Sequence, residues 1–123
     1  MSGRQNRLVK FQTLTAGDMS QSSLTSAVTN IQGLKLVGIQ LDFTGSPVGT
    51  FAIQVSADYA QDTEGNVTNA GNWAPITFNP TPTASAGSPI YLDIQNISAP
   101  WIRTVYTKVS GTGTLNVFIT GKM

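Results

Sequence analysis

The sequence predicts an all-β domain, an antiparallel β-sandwich that is jelly-roll-like and has about eight strands, with a closed barrel as the less favoured alternative. Three observations carry this. Apolar residues recur at every second position in several short runs, the period of a strand with one buried face. Clusters of Gly, Pro, Asn, Asp and Ser break these runs roughly every ten residues, the spacing of turns in a sandwich. The chain is also rich in Ser, Thr, Asn and Gly while only 11% of its residues are charged, so its solubility rests on neutral polar groups. Low charge density of this kind suits surfaces that neighbours will cover.

The chain begins with a polar segment carrying Arg4, Arg7 and Lys10 without an acidic partner, whereas the remainder holds more acids than bases. Residues 1–10 therefore read as a basic N-terminal arm, and residues 11–123 as one sandwich domain, long enough to bury a core without metal or disulfides. A basic arm fits a phosphate or an acidic neighbouring subunit, and equally a solvated terminus. Strand character already starts at Leu8, where Val9, Phe11 and Thr13 alternate with Lys10, Gln12 and Leu14. Gly17 closes that run in the turn Thr15–Asp18. Residues 19–33 read as an extended strand with a break. The alternative is an amphipathic helix through Leu24, Val28 and Ile31, weakened by serines and threonines that compete for its backbone bonds.

The core is expected in residues 34–59. Val37, Ile39, Leu41 and Phe43 form one alternating run, and Phe51, Ile53 and Val55 form the next. If fully buried, each of these seven side chains contributes roughly 1.5–3 kcal/mol. The intervening Thr44–Gly49 contains two glycines and a proline, so strand pairing stops there. The connection is either a wide hairpin or a crossing between sheets.

Residues 58–72 form an exposed polar excursion in which Glu64-Gly65-Asn66 turns a small hairpin between Tyr59 and Val67. Asp58, Asp62, Glu64 and Asn66 are hard oxygen donors, but their spacing is not that of an EF-hand loop, and a solvated acidic loop is expected instead. Asn66-Val67-Thr68 and Asn96-Ile97-Ser98 match the glycosylation pattern by composition alone. Strand character returns at Trp73–Phe78, where Pro75 places the run at a sheet edge or restricts its pairing. The Pro/Ser/Thr-rich segment 79–89 reads as a loop that builds no core. Ile90, Leu92 and Ile94 form a further half-buried strand. Two more runs, Ile102–Tyr106 and Leu115–Ile119, flank the turn Ser110–Gly113. In the first of these, Arg103 is expected to stack on an aromatic ring or to pair with a carboxylate such as Asp93, or else to face solvent.

Composition also narrows function. Without cysteine there is no disulfide, thiolate nucleophile or cysteine-type zinc site; without histidine there is no Ser-His-Asp system or imidazole ligand. Six carboxylates remain, and nothing in their spacing sets two of them across a cleft. The expectation is a protein that is not an enzyme and that uses no cofactor or metal. No apolar run is long enough to cross a membrane, and the start of the chain lacks a signal-peptide core, so synthesis in a host cytoplasm is expected.

The phrases VGIQLDFTGSPVGTFAIQVSADY, NWAPITF and APWIRTVYTKVSGTGTLNVFITGK, in this order, resemble a family of small virion structural proteins of tailed bacteriophages. The resemblance covers Leu34 to the C-terminus. It implies a capsid decoration or cement protein, located in the virion, that self-associates as a dimer or trimer and binds the major capsid protein or another virion protein. Nucleic acid is not an expected partner. Arg4, Arg7 and Lys10 are then the candidate partner contacts. Similar sandwiches also serve as tail or fibre accessories. The order Gly49-Thr50-Phe51, Val55-Ser56, Asn72-Trp73, Ile102-Arg103 and Tyr106 is, in turn, similar to discoidin-type sandwiches that bind sugars or lipids. That likeness implies a carbohydrate-binding module with Tyr59, Trp73 or Trp101 as the stacking platform. The two readings differ on whether these aromatics are exposed or lie in the core.

Overall fold

In the computed structural model, which describes residues 8–95 and 97–122, the alternating runs are strands. They are β1 (Leu8–Asp18), β2 (Ser23–Thr25), β3 (Thr29–Asn30), β4 (Leu36–Phe43), β5 (Val48–Ser56), β6 (Ala60–Gln61), β7 (Val67–Asn69), β8 (Ala74–Ile76), β9 (Ile90–Gln95), β10 (Trp101–Ser110) and β11 (Thr114–Lys122), with one 3₁₀ turn at Ala84–Ala86. All pairings are antiparallel. One sheet has the order β1-β11-β4-β9; the other has β2-β10-β5-β8, with β3 continuing the β2 edge along β10. Segment 19–33 is thus extended and broken, and no helix forms there.

Almost every step along the chain changes sheet. β1 leads to β2 and β3 opposite, β4 returns to the first sheet, β5 crosses again, and the pattern resumes from β8 through β9 and β10 to β11. Only β5 and β8 are sequential neighbours in one sheet, joined by the small β6-β7 hairpin. This is jelly-roll connectivity, and β2 with β3 together fill the place of one strand.

The connection between the two runs of the central stretch is therefore a crossing, not a hairpin. So is the one between β10 and β11, and the two arches lie side by side: Thr44 N–H donates to Thr114 O at 3.0 Å, and Ser46 N–H to Thr112 O at 3.1 Å. Gly45 and Gly111 sit at φ +79° and +82°, and a Cβ on either would strike the other arch's backbone. Only glycine meets both demands at such a contact.

The core lies between the sheets. Val37, Ile39 and Leu41 of β4 and Leu115, Val117 and Ile119 of β11 face Phe51 and Ile53 of β5 and Ile102 and Tyr106 of β10, all buried. Five of the seven expected side chains of the central stretch are buried, while Phe43 and Val55 are half-buried at its margins. Met19, Ile31 and Leu34, from the connections after β1 and β3, close the ends. Loop 79–89 differs from expectation. Its Ala84 is buried in the core, and Phe51 N–H donates to Pro82 O at 3.0 Å, so the loop caps the side of the sandwich next to β5.

Candidate functional site

Strand alternation alone sends Trp101, Arg103, Val105 and Thr107 of β10 to the outer face of the second sheet, since Ile102, Thr104 and Tyr106 point inward. Register then brings partners. Trp101 lies opposite Ser56, and Arg103 opposite Gln54, whose side-chain Oε1 accepts from Arg103 Nε at 2.7 Å. Gln54 in turn lies opposite Pro75 on β8, so the chain just before β8 delivers Trp73 to the same face. The Arg103 guanidinium stacks 4.2 Å from the Trp73 ring centroid. Asp93 is not its partner: that residue lies in the other sheet, opposite Gly38.

The excursion supplies the third aromatic. Asp58 closes its neck by accepting from the backbone N–H and the side-chain amide of Asn72, each at 2.8 Å, and from Ser56 Oγ at 2.9 Å. The same Ser56 hydroxyl accepts the Tyr59 N–H. These bonds, the Asn72 backbone N–H foremost, hold the Asp58 carboxyl below its usual range. Thus anchored, Tyr59 is buried between the tryptophans, 4.8 Å from Trp101 edge-on and 5.7 Å from Trp73. Trp73 Nε1 donates to Ala70 O at 3.0 Å.

The three candidate stacking residues therefore converge, and the answer to whether they are core or exposed is divided. They lie outside the main core, yet Tyr59 is buried and the two tryptophans are half-buried. One face of Trp73 is already covered by Arg103. Sequence reading missed Gln54, and it met Asn72 only in the discoidin-like order without a role; their roles follow from the β5–β10 register and the neck of the excursion.

The carboxylates of the excursion do different jobs. Asp62 Oδ1 accepts from the N–H groups of Glu64 and Asn66, each at 2.9 Å, and shapes the hairpin turn. Among the described residues no group of three or more His, Cys, Asp or Glu side chains converges on a metal-sized site.

Of the candidate partner contacts, Arg4 and Arg7 lie outside the described residues. Lys10 belongs to β1, is exposed, and holds its ammonium 5.3 Å from the Phe118 ring on the outer face of the first sheet. It is far from the aromatic cluster, which occupies the opposite face of the sandwich. Tyr91, 56% exposed, lies on the same outer face as Lys10, over Gly38, with its hydroxyl 3.4 Å from Thr120 Oγ1.

No protein-family model matches the chain, and no curated protein does. Among solved structures the chain is similar to the SPBc2 prophage-derived protein YomS, with a TM-score of 0.55 and 13% identity over 100% of this chain and 99% of that one. The two share a fold. It is also similar to part of dimeric latent PorU from Porphyromonas gingivalis, with a TM-score of 0.46 and 12% identity over 95% of this chain and 12% of that one.

Proposed function

We propose that this chain is a non-enzymatic structural protein of a phage particle that self-associates and attaches to capsid subunits as a decoration or cement protein. The observation that carries the reading is the end-to-end likeness in fold to a prophage-derived protein. The phage-like strand phrases and the low surface charge point the same way. Attachment uses the arm with Arg4 and Arg7, together with Lys10 at the start of β1. A tail or fibre accessory role that engages a glycan is the second reading, favoured by one observation: Tyr59, Trp73 and Trp101 gather on one outer face beside Arg103.

Co-sedimentation with undecorated phage capsids tests the first reading. The full chain is expected to pellet with capsids, and a chain lacking residues 1–7, which precede β1, to remain folded while binding more weakly. A full chain that ignores capsids but binds immobilised glycans moves the assignment to the second reading.

A further inference from the structure

A two-sheet sandwich has four open edges, and each exposes backbone groups that can template another strand. In this chain three are blunted. β1 carries two register shifts and is partly covered, since Ala27 N–H donates to Thr13 O at 2.9 Å. The opposite sheet's edge is split into β2 and β3, with Ser26 turned aside to bond Thr104. β8 has three residues, one of them Pro75. The fourth edge, β9, has none of these devices. It runs unbroken for six residues without proline, in continuous register with β4 on one side. Among the described residues no hydrogen bond links its other side to any segment. Beside that open edge lies a groove of about 530 Å³ lined by Phe78, Pro80, Pro82, Ile90 and Leu92. Ile90 and Leu92 are only half-buried there.

We infer that β9 pairs antiparallel with β9 of a second copy across a twofold axis through Leu92, joining the two β1-β11-β4-β9 sheets into one continuous sheet. A twofold contact must be self-complementary, and directly opposed residues share a face, which restricts the registers. Centring on Leu92 opposes Leu92 to itself, Ile90 to Ile94 and Tyr91 to Asp93. That places apolar side chains from both copies over the two grooves. Centring on Asp93 keeps the same overlap but sets two carboxylates directly opposite each other, which like charges disfavour. Centring on Tyr91 leaves three paired residues, because Pro89 ends the strand. Sequence and geometry thus select both the occupant and the register.

This deepens the self-association in the proposed function by naming its contact, and it does not depend on the capsid. The chain has no cysteine, so single-cysteine variants report cleanly. Light scattering on the full chain is expected to give twice the 13.0 kDa chain mass. Under mild oxidation Leu92→Cys is expected to link to its own copy, since opposed Cα atoms sit about 4.5–5.5 Å apart, within disulfide range. Asp93→Cys is expected to link far more slowly, and Leu92→Lys, an inward charge on the edge, to shift the mass to monomer with circular dichroism unchanged. If Leu92→Lys unfolds, the cross-linking comparison decides alone. A monomer at every concentration overturns the inference, as does a dimer that links through Asp93→Cys or through neither variant. A monomer that still pellets with capsids overturns this pairing and leaves the decoration reading standing, while a dimer linked through Leu92→Cys that ignores capsids does the reverse.

Discussion

Replacing Trp73 with alanine separates a structural role from a ligand platform. The ring makes three contacts that alanine deletes. The Arg103 guanidinium stacks 4.2 Å from its centroid, an interaction contributing about 0.5–1 kcal/mol at a partly exposed site. Tyr59 packs at 5.7 Å, contributing about 0.5–1.5 kcal/mol beyond area burial. The Nε1–H bond to Ala70 adds about 0.5–1.5 kcal/mol. Because Trp73 is half-buried, the lower halves of these ranges apply, and the loss is expected at about 1.5–2.75 kcal/mol. For a chain of 123 residues that lowers Tm by on the order of 10 °C.

Urea denaturation followed by far-UV circular dichroism reads the loss, and a double-mutant cycle with Arg103→Ala isolates the stack. Coupling of roughly 0.5–1 kcal/mol is expected, since the two side chains touch. Arg103→Ala also removes the bond to Gln54, which the cycle subtracts. A Trp73→Ala protein that loses less than about 0.5 kcal/mol refutes the additive reasoning, because each of the three contacts by itself predicts at least that much. If such a variant also lost glycan binding, the ring would be a platform rather than a strut.

The other predictions concern backbone crowding and pH. A Cβ on Gly49 would strike the Thr107 carbonyl and lie 2.7 Å from the buried Tyr106 hydroxyl, so Gly49→Ala is expected to cost about 2 kcal/mol or more. Gly38→Ala would meet side chains rather than backbone, the movable end of Tyr91 and Thr120 Oγ1 at 3.0 Å, and should cost under about 1 kcal/mol; equal urea midpoints for the two variants would refute the distinction. Three carboxyls are held below the ordinary value of 3.8: Asp18 by the Ser20 hydroxyl and N–H, Asp58 by Asn72 and Ser56, and Asp62 by the Asn66 N–H. A depressed folded pKa means the unfolded chain binds protons first as pH falls, so the contribution is whole above 3.8 and disappears as pH drops through the folded values. Urea midpoints should therefore hold steady from neutrality to about pH 5 and fall below pH 4, and Asp58→Asn should lower the neutral midpoint while flattening the acid slope.

Strand existence was legible because alternation is local: Val37–Phe43 and Leu115–Ile119 announce a buried face without knowing what it faces. Sheet membership was not, since the same glycine-rich four to six residues serve a hairpin or an arch. What decides between them is that the arches after β4 and β10 bond to each other through Thr44–Thr114 and Ser46–Thr112, residues about 70 positions apart. Loop 79–89 was misjudged for the same reason. Nothing in its own composition marks Ala84 as a core residue; its burial comes from the strand it leans on.

The candidate site shows the limit more sharply. Tyr59, Trp73 and Trp101 stand out in the sequence as aromatic residues near turns, yet their convergence needs both the β5–β10 register and the Asp58–Asn72 clasp. The clasp matters because it sets both ends of a fifteen-residue excursion side by side, so Tyr59 at one end and Trp73 at the other must meet. Had the excursion been closed by its tip hairpin alone, Trp73 would still reach Arg103 through β8, but Tyr59 would have no fixed place beneath it. The cluster is therefore as rigid as the clasp. Acid that protonates Asp58 loosens the patch before it reaches the core, which is held by apolar side chains with no charge to titrate.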